Sequence, residues 1–189
     1  MTDQLVIKEA ISLLLEGVGE DPMRDGLQET PGRAAEAWAQ WCSGYAEKPE
    51  DVLKTFPSED YDEFIIEANI PVYSMCEHHL APFIGVAHVG YLPGKKIVGL
   101  SKLSRLVDIF AHRLQVQERM TVQIADSLLK HIDAKGVGVI VQCRHMCMES
   151  RGIRRSGATT TTSAMRGVFF KEPHAKAEFI SLVDQAIRK

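Results

Sequence analysis

Two short stretches of this 189-residue chain hold most of its metal-ligating and proton-transferring side chains: Cys76-Glu77-His78-His79 and Arg144-His145-Met146-Cys147. In a tight turn, residues three apart can face one point, so the Cys76 sulfur and the His79 imidazole can share a metal while His78 points elsewhere. The second stretch closes an apolar run, and its spacing predicts a strand over Val137 to Met148. Alternation then sets Val137, Val139, Val141, Cys143, His145 and Cys147 on one face, apolar at its start and reactive at its end. Cys76, His79 and Cys147 together offer two thiolates and an imidazole, a set that suits Zn2+. Buried packing residues of an ordinary core are the alternative for each of them taken singly.

Extended geometry limits the ligand count. Cys143 falls about 13 Å from Cys147, too far to join the same ion, whereas His145 falls about 6.6 Å away, near the open side of such a site. Three protein ligands and a water is the catalytic pattern, and four ligands the structural one. His78 and His145 are then two unligated imidazoles beside a metal-activated water, each able to act as general acid or base near neutral pH.

Positive charge gathers nearby in sequence. Ser101-Lys102-Leu103-Ser104-Arg105 opens a helix, so backbone N–H groups, Lys102 and Arg105 can converge on an anion; a solvated basic turn is the alternative. Arg151-Gly152-Ile153-Arg154-Arg155 follows the second metal segment, with a glycine that suits close backbone approach to a ligand. Gln117-Glu118 begins another helix. A carboxylate beside an amide can read the donor-rich edge of a guanine, although an acidic residue there also serves the helix dipole.

These segments need a scaffold, and the periodicity supplies one. Ile7, Ile11, Leu14, Leu15 and Val18, then Ala34, Ala35, Trp38 and Trp41, keep helical spacing and predict an α-helical arm from Val6 to about Tyr45, with Thr30 as N-cap before Pro31. A polar passage from Glu47 to Asp62 reads as a linker. Beyond it the period shortens toward two, predicting strands at Phe64–Tyr73, Phe83–Tyr91, Lys96–Leu100, Val137–Met148 and Thr159–Phe170. Two helices separate the third strand from the fourth. One is capped by Ser101 and carries Leu103, Leu106, Val107 and Phe110; the other spans about Gln117 to Ile132. A last helix covers about His174 to Arg188. The pattern predicts an α+β fold, an antiparallel sheet with helices on one face, divided into an arm and linker (1–60) and a catalytic domain (61–189).

Composition narrows the function. Hydrophobic residues are 45% and charged residues 25% of the chain, ordinary globular values. The net charge of −3 argues against broad attraction to nucleic acid. No apolar run reaches the length of a membrane span, and Met1-Thr2-Asp3-Gln4 lacks the layout of a secretory signal, so a cytoplasmic protein is expected. The 4 cysteines show no disulfide framework, and Cys42 and Cys143 read as packing residues.

The ordered motifs resemble the GTP cyclohydrolase I family over nearly the whole chain. The resemblance is carried by Gly19-Glu20-Asp21-Pro22, Glu29-Thr30-Pro31-x-Arg33, Cys76-Glu77-His78-His79, Gly99-Leu100-Ser101-Lys102-Leu103-Ser104-Arg105, Gln115-Val116-Gln117-Glu118-Arg119, His145-x-Cys147 with Arg151-Gly152, and Thr159-Thr160-Thr161-Thr162. It implies a tunnelling fold, in which sheets of several subunits close into a barrel, and a homodecamer of two facing pentamers with active sites between subunits. It implies zinc on Cys76, His79 and Cys147, and guanine held by Glu118 with Gln117. It also implies triphosphate contacts from Ser101, Lys102, Arg105 and Arg151, with Arg33 reaching in from a neighbouring subunit, and proton transfers by His145 near guanine N7 and by His78 at the ribose. The implied reaction converts GTP to 7,8-dihydroneopterin triphosphate with loss of formate, the first step of tetrahydrofolate and pterin biosynthesis. One departure stands out: Glu36, one turn after Arg33, sits where members often carry a basic residue that holds phosphate.

Overall fold

The computed structural model describes residues 2–188. Its N-terminal arm is two helices, α1 (Gln4–Gly17) and α2 (Thr30–Trp41), followed by a single 3-10 turn at Ser43–Ala46. Asp3 caps α1 by accepting from the backbone N–H groups of Leu5 and Val6. The predicted Thr30 cap is displaced by one residue: Glu29 is the cap position, without a side-chain bond, and Thr30 already lies in the helix. No residue of α1 is buried, and its Leu5, Leu13 and Leu14, with Val18 at its C-cap, face solvent in the isolated chain.

The passage expected to be a linker is structured. It forms α3 (Pro49–Val52) and the short β1 (Thr55–Pro57), and Leu53 between them is buried in the main core. A polar sequence hid this because elements of three and four residues carry too few side chains to show a period.

The central sheet has five strands in the order β5-β2-β3-β6-β7, from β2 (Ile65–Cys76), β3 (Ala81–Leu92), β5 (Leu114–Gln115), β6 (Gly136–His145) and β7 (Thr160–Gly167). All neighbours are antiparallel except β5, which runs parallel to the end of β2. The strand predicted at Lys96–Leu100 is β4 (Lys96–Val98), and it leaves this sheet to pair with β1.

Alternation on β6 sends Val137, Val139, Val141 and Cys143 into one core, shared with Ala87, Val89 and Tyr91 of β3. Two amphipathic helices close that core, α4 (Leu100–Ala111) through Leu103, Leu106 and Val107, and α5 (Gln117–Ile132) through Met120, Ile124 and Leu128. Gly99, rather than Ser101, occupies the N-cap of α4.

Helices are not confined to one face. α7 (Val168–Lys171) and α8 (Pro173–Ile187) cover part of the opposite face, where Phe169, Phe179 and Val183 pack against Ile66 and Ile140. Phe179 lies across Gly90 and Gly138, which are cross-strand partners, and a Cβ on either would approach its ring to 2.7 or 2.6 Å. The two glycines therefore make the hollow that receives this ring.

Candidate active site and metal centre

β2 ends at Cys76, and a turn immediately follows. The His79 and Leu80 amides both donate to the Cys76 carbonyl, and Leu80 closes the turn in the left-handed region at φ 51°. The turn folds the His79 ring back so that Nδ1 lies 3.8 Å from Cys76 Sγ. His78 goes the other way; its ring is edge-on to that of His79 at 6.3 Å and its side chain is 64% exposed. The turn thus sends the two imidazoles in different directions.

Cys147 reaches the same point by a different route from the one predicted. β6 ends at His145, and Met146–Glu149 forms a short helix, α6. Cys147 thus sits on a helical turn rather than on the face of an extended strand. Arg144 fastens that turn with two hydrogen bonds to Glu149, at 2.9 and 2.6 Å. Ligand atoms of Cys76, His79 and Cys147 lie within 4.8 Å of one another, and among the described residues this group has three members. Cys143 is outside it, in the core, where burial pushes its thiol up to about 12. Burial, and then the adjacent Cys76 thiol, also raise Cys147, while Arg151 pulls it down. Two crowded thiols and an imidazole at this separation fit a zinc ion, which would take the place of their protons.

β5 joins this corner to the helix that carries the guanine-reading candidates. Cys76 pairs with Gln115, and the Glu77 amide donates to the Gln115 carbonyl at 3.1 Å. Two residues later α5 begins at Gln117. Arg119 of α5 returns to Glu77 as an ion pair, which lowers the Glu77 carboxyl, chiefly through the hydrogen bond. The 3-10 turn of the arm braces the same connection: the Tyr45 hydroxyl accepts from the Leu114 amide at 3.1 Å, and the Arg113 guanidinium lies 5.7 Å from the Tyr45 ring and 5.0 Å from the Phe110 ring.

The result is a cleft of about 220 Å³ lined by Cys76, His78, His79, Gln115, Val116, Gln117, Glu118, His145 and Cys147. His145 is half-buried, with its ring stacked on Phe83 at 4.8 Å, and burial lowers its pKa while Glu118 acts in the opposite direction. His145 Nε2 is 2.7 Å from Gln117 Oε1. Gln117 is buried, and its Nε2 is within hydrogen-bonding distance of the Val141 and Thr160 carbonyls, each at 3.0 Å, and of Thr162 Oγ1 at 3.1 Å. Glu118, by contrast, is exposed at the cleft.

Ser101, Lys102, Arg105 and Arg151 do not line this cleft, although Ser101, Arg105 and Arg151 are exposed. Arg33 is exposed on α2 and pairs with Glu29, so within one chain it too stands apart. Glu36 is exposed on the same helix. Sequence reasoning gave no role to Phe83, Gln115, Arg119 or the threonines of β7. Phe83 reads as one more core residue, and only the Phe83–His145 register reveals its ring contact.

Comparison with known proteins places these residues in company. A family model described as GTP cyclohydrolase I matches residues 7–184. The GTP cyclohydrolase 1 of Nitrosospira multiformis is 58% identical over 173 residues, covering 90% of this chain and 91% of that protein. That of Corynebacterium glutamicum is 54% identical over 176 residues, covering 92% and 90%. That of Campylobacter jejuni is 48% identical over 185 residues, covering 97% of each.

Proposed function

This chain belongs to the GTP cyclohydrolase I family, hydrolases of the first step of pterin and folate biosynthesis, and from that premise we propose how its own side chains divide the work. The observation that carries the proposal is the convergence of Cys76, His79 and Cys147 on one point, in a cleft that also holds two histidines outside the group.

Cys76, His79 and Cys147 would hold zinc. Bound there, zinc would supply the Lewis acidity that activates a water toward C8 of the guanine ring. The Glu118 carboxylate accepts from the guanine N1–H and 2-amino group, the paired donors of that edge. Ser101, Lys102, Arg105 and Arg151 hold the triphosphate, with Arg33 supplied by a neighbouring subunit. His145 gives a proton to guanine at N7 as the imidazole ring opens. His78, exposed at the mouth of the cleft, moves protons at the ribose during its rearrangement. The products are formate and 7,8-dihydroneopterin triphosphate.

The separation of the phosphate-binding candidates from the cleft supports a site completed between subunits. The exposed apolar face of α1 and the open edge of β7 support a homo-oligomer, which we take to be a decamer of two pentamers whose sheets close into a barrel of the tunnelling type. Among the described residues no helix is long and apolar enough to cross a membrane, and a cytoplasmic enzyme acting on GTP, not on nucleic acid, is the reading that fits.

Two variants separate the roles. His145→Ala should keep its zinc, measured by metal analysis of the purified protein, and lose formate release by about 100-fold or more, the scale of a lost proton donor. Cys147→Ala should lose both zinc and turnover. Full zinc occupancy in Cys147→Ala would remove that residue from the ligand set, and full activity in His145→Ala would remove the proton donor.

A further inference from the structure

The amide of Gln117 is in an unusual position for a substrate-reading group. It sits at the first turn of α5, 2% exposed, wedged between the ends of β6 and β7. Its nitrogen faces two backbone carbonyls, Val141 and Thr160, and the Thr162 hydroxyl. Carbonyl oxygens only accept, so the amide cannot be turned round: with Oε1 on that side, two pairs of acceptors would be pressed together at about 3 Å with no proton between them. The opposite end, Oε1, is therefore fixed toward His145 Nε2 at 2.7 Å. Thr121 reinforces the arrangement, lying 2.7 Å from the Gln117 carbonyl and 2.7 Å from Thr162 Oγ1.

An acceptor that cannot rotate away dictates the proton on its partner. We infer that Gln117 is a positioning residue for His145: it accepts from Nε2–H, keeps that proton in place, and leaves Nδ1 as the ring nitrogen that takes up a proton from water and gives it to substrate. The Phe83 ring, stacked at 4.8 Å and inclined by only 12°, holds the imidazole plane from the side, so hydrogen bond and stack together leave the ring one orientation. The arrangement uses the logic of a histidine oriented by a second group. Gln117 then contributes no side-chain contact to guanine, and recognition of that edge falls to Glu118, the exposed member of the pair. The same geometry explains why threonines of β7 matter at a distance from substrate: they seat the amide that seats the histidine.

The inference rests on the reading of His145 as proton donor, but the proton position is observable without turnover. Neutron diffraction from crystals of deuterated, zinc-loaded protein should show deuterium on His145 Nε2, directed at Gln117 Oε1. A bare Nε2 with deuterium on Nδ1 alone would overturn the inference, whether or not the protein releases formate. Kinetics provide the second arm. Gln117→Met, similar in length but without an acceptor, should lower kcat about 10- to 100-fold, the range for an outer partner of an active-site histidine, with KM for GTP within about threefold of the parent value. Glu118→Gln should do the reverse and act mainly on KM. A Gln117→Met protein with raised KM and unchanged kcat would return Gln117 to guanine recognition and contradict the positioning role. If that variant does not fold, the deuterium position in the parent protein decides alone.

Discussion

At the scale of the residue, the four cysteines divide by environment. Cys76 and Cys147 meet at the cleft beside His79, whereas Cys143, four positions from Cys147 in sequence, is 1% exposed among apolar side chains. Burial disfavours the thiolate and pushes the Cys143 thiol up to about 12, from an ordinary value near 9.0. Alkylation requires the thiolate, so native protein at pH 8 should leave Cys143 unlabelled by iodoacetamide, and labelling should appear only on unfolding. Mass spectrometry of the digested protein reads this directly. Labelling of Cys143 in the native state, at a rate like that of a free thiol, would contradict the core assignment. The two histidines of the Cys-Glu-His-His turn are likewise sorted by direction, one toward Cys76 and one toward solvent. Much of this was legible in the sequence, because ligand chemistry depends on residue type and on short spacings that a turn preserves. What was not legible was contact across strands. Neither the stack of Phe83 on His145 nor the Gln117 amide between β6 and β7 leaves a periodic trace, since each depends on the register of distant segments.

At the scale of the element, most strands and helices follow from period and capping, and the differences have local causes. The strand predicted through Met148 stops at His145, because α6 begins there and the Arg144–Glu149 pair holds the turn. An apolar-to-reactive alternation continued by chance into the helix and imitated a longer strand. The linker hid β1 and Leu53 for the opposite reason, too few residues to set up a pattern. The placement of α8 on the second face was also missed, although its cause is in the sequence. Gly90 and Gly138 pair across β3 and β6 and open a hollow for Phe179. Filling that hollow should be costly. Gly138→Ala should destabilise the protein by about 1–3 kcal/mol, the usual cost of overpacking a core, and Phe179→Ala by about 3–5 kcal/mol through the cavity it leaves. Because the new methyl and the ring compete for one space, the double variant should lose clearly less than the two single losses combined. Chemical denaturation of the three proteins tests this, and simple additivity would argue that Phe179 does not rest on Gly138.

At the scale of the whole molecule, one chain brings Cys76, His79, Cys147, both free histidines and Glu118 to one cleft, while the cations proposed for the triphosphate lie outside it. A chain with net charge −3 and an unburied apolar helix makes physical sense as one part of an assembly, where α1 gains a partner and basic side chains from two subunits converge on one anion. The sequence motifs indicated the chemistry but could not place Lys102 and Arg105, since no short spacing ties them to the cleft residues. The central claim, that Cys76, His79 and Cys147 arm this cleft to open the guanine ring of GTP, is tested most directly by measuring formate. Zinc-loaded protein incubated with GTP should release one formate for each GTP consumed as pterin fluorescence grows, and removal of the metal by a chelator should abolish both until zinc is restored. GTP left intact by the zinc-loaded protein, or formate released at an undiminished rate after the metal is stripped, would contradict it.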